Sequence, residues 1–256
     1  MIGRHPDSAL LVEYASGSLE LAPSIAITTH IQFCDQCRRT VESLQAVGGE
    51  MLEEAASVPV SDSLLDNVFA RIDSDSPEEQ SLSNVQHEAG KVDSENEVLS
   101  ELASTVPAYI RKFLPAEPLK WRFLSPSLKT ATISVGEDVN ELSFLKIKAG
   151  GKAPVHTHKG TEITVVLKGC FSDEEDLYQP GDFIVRHAGE THQPIAAQNE
   201  ECICLSVLSA PIQLTGIKSM LNPLLWQIGI GSVCSAVPAV PVLLPQVVDA
   251  FPIVMV

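Results

Sequence analysis

An acidic, serine-rich stretch at residues 73–106 divides the sequence in two, and this break limits the possible folds more than any other feature. Its opening run, residues 73–79, contains only Asp, Ser, Pro and Glu. Such a stretch cannot bury enough apolar surface to offset the entropy lost when it is ordered. We therefore expect a mobile linker that joins two modest domains within this chain of 256 residues.

The part before this linker, residues 1–72, has the apolar spacing of helices. Apolar residues recur at helical intervals in residues 10–14 and again in residues 31–47, where the Gly-Gly pair at 48–49 suggests a helix stop. A further helix is predicted at Ser61–Ile72, with apolar side chains along one face. This part is therefore predicted to be a small helical domain.

The part after the linker, residues 107–222, has the pattern of β-structure. Short runs rich in β-branched and aromatic residues are separated by Gly, Pro, Asn and Asp. Short strands with frequent turn signals are typical of an all-β sandwich or barrel. The predicted strands lie at residues 131–135, 142–147, 161–167, 182–185 and 202–208.

The last segment, residues 223–256, is apolar and rich in proline. A membrane-spanning helix needs about 20 apolar residues with intact backbone hydrogen bonding. Pro238, Pro241 and Pro245 oppose such a helix. We expect a tail that packs on the protein or is poorly ordered, without a membrane contact.

The charge balance restricts the class of partner. With 33 acidic and 17 basic residues, the formal net charge is −16. A protein this acidic is repelled by phosphate backbones, so direct binding of nucleic acid is not expected. A basic protein partner fits better, because complementary charge accelerates encounter.

The cysteines and the N-terminus indicate a cytoplasmic protein. The six cysteines are unevenly distributed, and one close pair stands near a histidine. This favours metal ligation in a reducing compartment over a framework of disulfides. The first residues are too polar for a signal peptide.

His30, Cys34 and Cys37 form the pattern H-x3-C-x2-C. On a helix, this spacing places one imidazole and two thiolates within a turn or two, as tetrahedral zinc requires. The fourth ligand must come from elsewhere, and His5 is the other histidine of this domain. Two alternatives are buried core thiols beside a surface histidine, and a redox-active cysteine pair.

His156, His158 and Glu162 form a second candidate metal site. Residues two apart on a strand point the same way, and Glu162 can return to the same point after a short turn. The alternative is a pair of surface histidines in a loop. Together with Gly150 and Gly169, the spacing resembles the first motif of the cupin family, which implies a jelly-roll barrel, the double-stranded β-helix.

The stretch Gly181–His192 resembles the second cupin motif. It departs from the usual form because His187 replaces a proline and Ala196 replaces an asparagine. The resemblance implies that His192 is the fourth ligand, with His187 as the alternative. Three nitrogens and one oxygen suit zinc, iron, manganese or nickel, and zinc is the metal that we expect here.

The N-terminal motif resembles the zinc-binding anti-sigma domain, in which an upstream histidine completes the ligand set. His5, His30, Cys34 and Cys37 stand at the matching positions. Joined to a cupin, this domain is similar to the ChrR-type anti-sigma factors, over about residues 2–222. The fold class predicted is therefore a small zinc-bound helical domain followed by a cupin barrel.

The ChrR-type resemblance also implies a function. It implies zinc in both domains, a one-to-one complex with an extracytoplasmic-function sigma factor, and release of that sigma factor in response to singlet oxygen or related oxidants. It implies no enzymatic activity. The apolar faces that contain Leu10, Leu11, Leu64, Leu65 and Phe69 would contact the sigma factor, or would be ordinary core. The alternative function is a metal-dependent cupin enzyme, of dioxygenase or isomerase type, with an accessory zinc domain.

Overall fold

The computed structural model describes residues 2–74, 110 and 119–215. The N-terminal part contains helices α1 (Ser8–Ser16), α2 (Leu21–Phe33), α3 (Asp35–Glu54) and α4 (Leu64–Ser74). Nearly all of the predicted linker and the whole predicted tail lie outside the described residues. Within these ranges, no helix combines the length and the apolar character that crossing a membrane requires.

Local sequence signals account for most of the helix ends. The Asp7 side chain accepts a hydrogen bond from the Leu10 amide at 2.8 Å and so caps α1, which ends at Gly17 in the left-handed conformation (φ 73°). The extended backbone of Cys34 separates α2 from α3. The predicted helix stop at residues 48–49 is wrong, because α3 continues to Glu54. Glycine weakens a helix by about 1 kcal/mol but does not prevent the helical conformation.

The C-terminal part is all-β, and all five predicted strands are confirmed with small shifts of their ends. A six-stranded sheet has the order β1-β2-β3-β11-β5-β8, and the two three-stranded sheets have the orders β10-β6-β7 and β12-β4-β9. The pairings are antiparallel, as in a jelly roll. The strands are β1 Arg122–Ser125, β2 Leu128–Ile133, β3 Glu141–Ile147, β4 His156–His158, β5 Glu162–Lys168, β6 Phe171–Ser172, β7 Leu177–Tyr178, β8 Phe183–Arg186, β9 Thr191–His192, β10 Ile195–Ala196, β11 Cys202–Leu208 and β12 Ile212–Leu214.

The central strands of the six-stranded sheet are buried on both faces. Along β11, Cys202 and Cys204 pack inside the barrel with residues of β6 and β7, whereas Ile203, Leu205 and Val207 pack against the helices. Successive side chains of a strand point to opposite faces, so this split follows from the period of two. It explains why β11 is apolar almost throughout rather than alternating.

The helices and the barrel therefore share one hydrophobic core, which the sequence pattern did not predict. Ile25 and Ile27 of α2 belong to the same buried cluster as Val165 of β5. The carboxylate of Glu137, a barrel residue, accepts hydrogen bonds from the first amides of α2, at Leu21 and Ala22, at 2.8 and 3.1 Å. The division at residues 73–106 remains a prediction.

Candidate metal centres

The four predicted ligands of the N-terminal motif converge on one point. His5 precedes α1, His30 lies in α2, Cys34 separates α2 from α3, and Cys37 lies in the first turn of α3. Their ligand atoms lie within 4.8 Å of one another. His5 Nδ1 is 3.4 Å from each of the two sulfurs. Tetrahedral zinc with ordinary bond lengths separates a nitrogen and a sulfur ligand by about 3.5 Å.

His30 is held so that one ring nitrogen faces the cluster. Its Nδ1 donates a hydrogen bond to the Gly181 carbonyl at 2.7 Å, which leaves Nε2 as the potential ligand. Nε2 is buried and has no hydrogen-bond partner among the described residues. Burial lowers the pKa of His30, which favours the neutral imidazole that a metal requires. The alternative that placed His30 on the surface is wrong, since its exposed fraction is 0%.

The two cysteines of this cluster are buried and close together. Burial, the hydrogen bond with Cys34 and the charge of Cys34 raise the pKa of Cys37 to about 12. The thiol of Cys37 becomes a thiolate at neutral pH only beside a strong positive charge, which a bound cation supplies. Two sulfurs and two imidazoles are a donor set that suits tetrahedral zinc.

The second cluster lies inside the barrel and has the predicted composition. His156, His158, Glu162 and His192 are all buried, and their ligand atoms lie within 4.8 Å of one another. The Nε2 atom of His192 is 3.0 Å from that of His156 and 3.3 Å from that of His158. Glu162 Oε2 is 3.4 Å from His158 Nε2. Ligands at about 2.0 Å from a tetrahedral metal are about 3.3 Å apart, so the spacing fits one ion.

Hydrogen bonds set the orientation of two of these histidines. His156 Nδ1 donates to the Pro154 carbonyl at 2.9 Å, and His192 Nδ1 donates to Asp173 Oδ2 at 3.3 Å. Both rings therefore turn Nε2 toward the cluster. Hydrogen-bond acceptors at the other ring nitrogen commonly orient metal-binding histidines in this way. Burial lowers the pKa of His156 and lowers that of His158 to about 4, which favours neutral imidazoles at neutral pH.

The structure places one of the two candidates of the second motif in the barrel cluster. His192 lies in the cluster, whereas His187 is exposed and lies outside it. The alternative of paired surface histidines is wrong, because His156 and His158 are only 7% and 3% exposed.

Sequence reasoning missed two residues beside this cluster. Ser206 donates a hydrogen bond to Glu162 Oε1 at 3.0 Å, and Asp173 contacts His192. Neither belongs to the motif spacing. In the exposed acidic turn after β6, Glu175 and Asp176 form ion pairs with Arg186 and Arg4.

An apolar cavity opens onto the barrel cluster. Its volume is about 80 Å³. His156, Glu162 and His192 form part of its wall, and most of the remaining lining is apolar, including Leu128 and Phe171. The arrangement can hold a metal ion in water-poor surroundings and leave it accessible to a small molecule.

Comparisons with known proteins agree with this architecture. Residues 112–210 match the family described as the ChrR Cupin-like domain. The chain is 34% identical over 220 residues to the anti-sigma-E factor ChrR of Cereibacter sphaeroides, which covers 86% of this chain and 96% of that protein. It is also similar to a chain in the crystal structure of Rhodobacter sphaeroides SigE in complex with the anti-sigma ChrR. That match has a TM-score of 0.63 and 31% identity, over 81% of this chain and 100% of that one.

An RmlC-like cupin protein from Ralstonia eutropha is a much more distant match. Its TM-score is 0.36 at 17% identity, over 44% of this chain and 84% of that one, which is too low to carry an argument. The ChrR match covers 86% of this chain, which is more than the barrel alone. With this extent and this identity, the chain belongs to the ChrR family of anti-sigma factors.

Proposed function

We propose that this protein binds an extracytoplasmic-function sigma factor in a one-to-one complex and keeps it inactive. The partner class is the one that ChrR contacts in the complex with SigE. The N-terminal helices supply the binding surface, and the barrel controls release. The protein acts in the cytoplasm, where its partner meets RNA polymerase.

The observation that carries this proposal is an uncovered apolar face on α4. Its five large apolar side chains recur at helical spacing and are between 45% and 63% exposed. A monomer rarely leaves so continuous an apolar strip in water, and such strips mark protein-binding sites. The five residues are Leu64, Leu65, Val68, Phe69 and Ile72.

The end of α3 extends the same kind of surface. Val47, Met51 and Leu52 are 60%, 68% and 76% exposed. Leu11, by contrast, is buried in the shared core and Leu10 packs partly against it, which supports the alternative that Leu11 is ordinary core. The binding surface therefore consists of α4 and the exposed end of α3. The net charge of −16 complements a basic partner.

We propose that zinc occupies the cluster of His5, His30, Cys34 and Cys37. The ion draws together α2, α3 and the segment before α1, and so fixes the helices that lead to the binding surface. The barrel cluster of His156, His158, Glu162 and His192 holds a second metal, for which zinc is our proposal. There the apolar walls exclude water and the Nδ1 hydrogen bonds hold the rings in place.

We propose that release follows an oxidant such as singlet oxygen, which acts on the barrel ligands. The barrel thiols are poorly placed for this role, because a thiol reacts as its thiolate. The hydrogen bond with Cys202, together with burial, raises the pKa of Cys204. Burial also raises the pKa of Cys170. The oxidisable imidazoles of the metal cluster border a cavity that a small oxidant can enter.

Co-expression with candidate sigma factors tests the proposal. We expect a stable one-to-one complex with one of them and loss of transcription from its promoters. Leu65→Asp and Phe69→Asp should each weaken the complex at least about tenfold, because each removes roughly 1.5–3 kcal/mol of apolar burial. Val139→Asp is the matched control, since Val139 is 52% exposed on the barrel. Equal effects of all three variants would refute the assignment of the surface.

A further inference from the structure

One stretch of the barrel contacts a candidate ligand of each metal centre. This stretch, residues 173–186, contains the acidic turn after β6, then β7, the loop before β8, and β8 itself. We call it the bridging segment. Asp173 and Arg186, its two ends, lie beside the barrel cluster, and Gly181 and Asp182 lie against the N-terminal part.

At the barrel end, a buried network holds His192. Oδ2 of Asp173 accepts hydrogen bonds from His192 Nδ1 at 3.3 Å and from Arg186 Nη2 at 2.6 Å. The other oxygen accepts from the Tyr178 hydroxyl at 3.2 Å and from the Glu175 amide at 3.0 Å. The side chains of Asp173 and Arg186 are only 1% and 7% exposed. This carboxylate thus fixes both the imidazole and the turn.

In its middle, at Gly181 and Asp182, the bridging segment contacts the N-terminal centre. The Gly181 carbonyl accepts the 2.7 Å hydrogen bond from His30, and Asp182 Oδ1 accepts from the amides of Gly3 and Arg4 at 2.8 and 3.1 Å. The Phe183 amide donates to the Arg4 carbonyl at 3.1 Å. Arg4 directly precedes His5, so the segment fixes the backbone next to one ligand and the ring of another.

The contact at Gly181 leaves little free space. A Cβ atom added there would lie 2.7 Å from the Cβ of Phe33, and its φ of +92° also disfavours a side chain. Glycine therefore permits the close approach of the bridging segment to the end of α2. A shift of the loop by a fraction of an ångström must be passed on to Phe33 or to His30.

Strand β8, which leads from the contacts of Gly181 and Asp182 to Arg186, is short and is paired with a neighbouring strand. β8 is paired along its length with β5, and Arg186 is the register partner of Glu162, a ligand candidate of the barrel. Asp182 and Arg186 are four residues apart, which corresponds to about 13 Å along a strand. A paired and largely buried strand of this length moves as a unit rather than bending.

We propose that the bridging segment couples the two metal centres, with Asp173 as the positioning residue for His192. A disturbance of the barrel centre then shifts the contacts to His30 and to the backbone beside His5, and weakens metal binding at the thiolates. Thermodynamic reciprocity requires the reverse effect of equal size. This inference rests on the proposed function for its consequence, which is release of the sigma factor.

The test uses the full-length protein loaded with cobalt(II) and free of sigma factor. Absorption from thiolate-to-cobalt charge transfer reports on the centre with Cys34 and Cys37 alone, because the barrel set has no sulfur. Its rate of loss into excess chelator is measured for the wild type, for Asp173→Asn, for His192→Ala and for the double variant. Glu200→Gln, an exposed acid before β11, is the control.

We expect Asp173→Asn and His192→Ala each to accelerate this loss about 3- to 10-fold, the range that typical coupling energies produce. The double variant should lose cobalt no faster than the faster single variant, because both changes break one connection. Glu200→Gln should behave as the wild type. If neither single variant changes the rate, or if the two effects multiply, the coupling is refuted.

Two further measurements keep the result unambiguous. Circular dichroism identifies a variant that fails to fold, and Asp173→Asn, which preserves the shape of the side chain, then carries the test alone. Sigma-factor capture by the wild type is assayed separately. Coupling without capture would reject the proposed function only, and capture without coupling would reject this inference only.

Discussion

The two candidate metal centres differ in what holds their ligands together. In the barrel, His156 and His192 are register partners on the paired strands β4 and β9, so backbone hydrogen bonds bring them face to face. In the N-terminal part, the ligands come from the segment before α1, from α2, from the break at Cys34 and from α3. No single ladder of backbone hydrogen bonds joins these four pieces. The barrel centre is therefore built by its sheet, whereas we expect the N-terminal centre to need the proposed zinc ion for its stability.

The strongest challenge to this comparison is removal of a thiolate. Cys37→Ser should disorder the helical part and abolish sigma-factor binding, because a structural zinc contributes on the order of 10 kcal/mol to folding. Metal analysis should show the loss of one zinc per chain, and circular dichroism the loss of helix. Cys170→Ser, a change outside both clusters, should alter neither. A helical part that stays folded and binds its partner without its metal would contradict the comparison.

The barrel centre should tolerate loss of its metal much better. Glu162→Gln and His156→Ala should each remove the barrel ion, yet the sheet should keep its fold and the complex with the sigma factor should still form, although weakened through the bridging segment. The response of the complex to singlet oxygen should be blunted. Metal content, size-exclusion chromatography and a promoter reporter measure these outcomes. Loss of complex formation in both variants would show that the barrel takes part in binding itself.

The different origin of the two centres also explains what the sequence could predict. His30, Cys34 and Cys37 lie within eight residues, so their meeting follows from local geometry, and the three predicted barrel residues before His192 follow the spacing of one strand and one turn. The break at Cys34 does not follow from the apolar spacing, which continues through residues 31–47. The role of Asp173 was not predictable either, since the hairpin register brings it to His192.

The shared core was missed for a related reason. A strand that is buried on both faces is apolar at nearly every position. Its sequence is the same kind of apolar run whatever covers those faces. Ile203 and Leu205 on β11 give no local sign that helices cover them. The acidic segment at residues 73–106 suggested separation of the two parts, although the length of a linker does not determine whether the parts pack together.

A pH titration of the metal-stripped protein would sharpen the comparison further. Burial is the main reason that the pKa of His158 falls from 6.5 to about 4 in the folded barrel. Between pH 4 and pH 6.5, the His158 imidazole is therefore protonated in the unfolded chain and neutral in the folded one. The free energy of unfolding is highest above pH 6.5 and decreases as the pH falls toward 4. The loss from His158 is on the order of 3 kcal/mol. Denaturant titrations should show it in the wild type, and His158→Gln should remove the share that comes from His158, while His156 and His30, whose pKa values burial also lowers, keep the remainder.

The smallest expected effect concerns the cap that the barrel supplies to α2. Glu137→Ala removes the carboxylate that accepts from Leu21 and Ala22, and should lower stability by about 1 kcal/mol, the usual cost of a lost cap. Asp138→Ala, an exposed neighbour, is the control. Because the helices and the barrel share one core, thermal unfolding of the metal-loaded variant should remain a single transition that shifts as a whole. A separate early transition of the helices would show that the cap, and not the core, holds the two parts together.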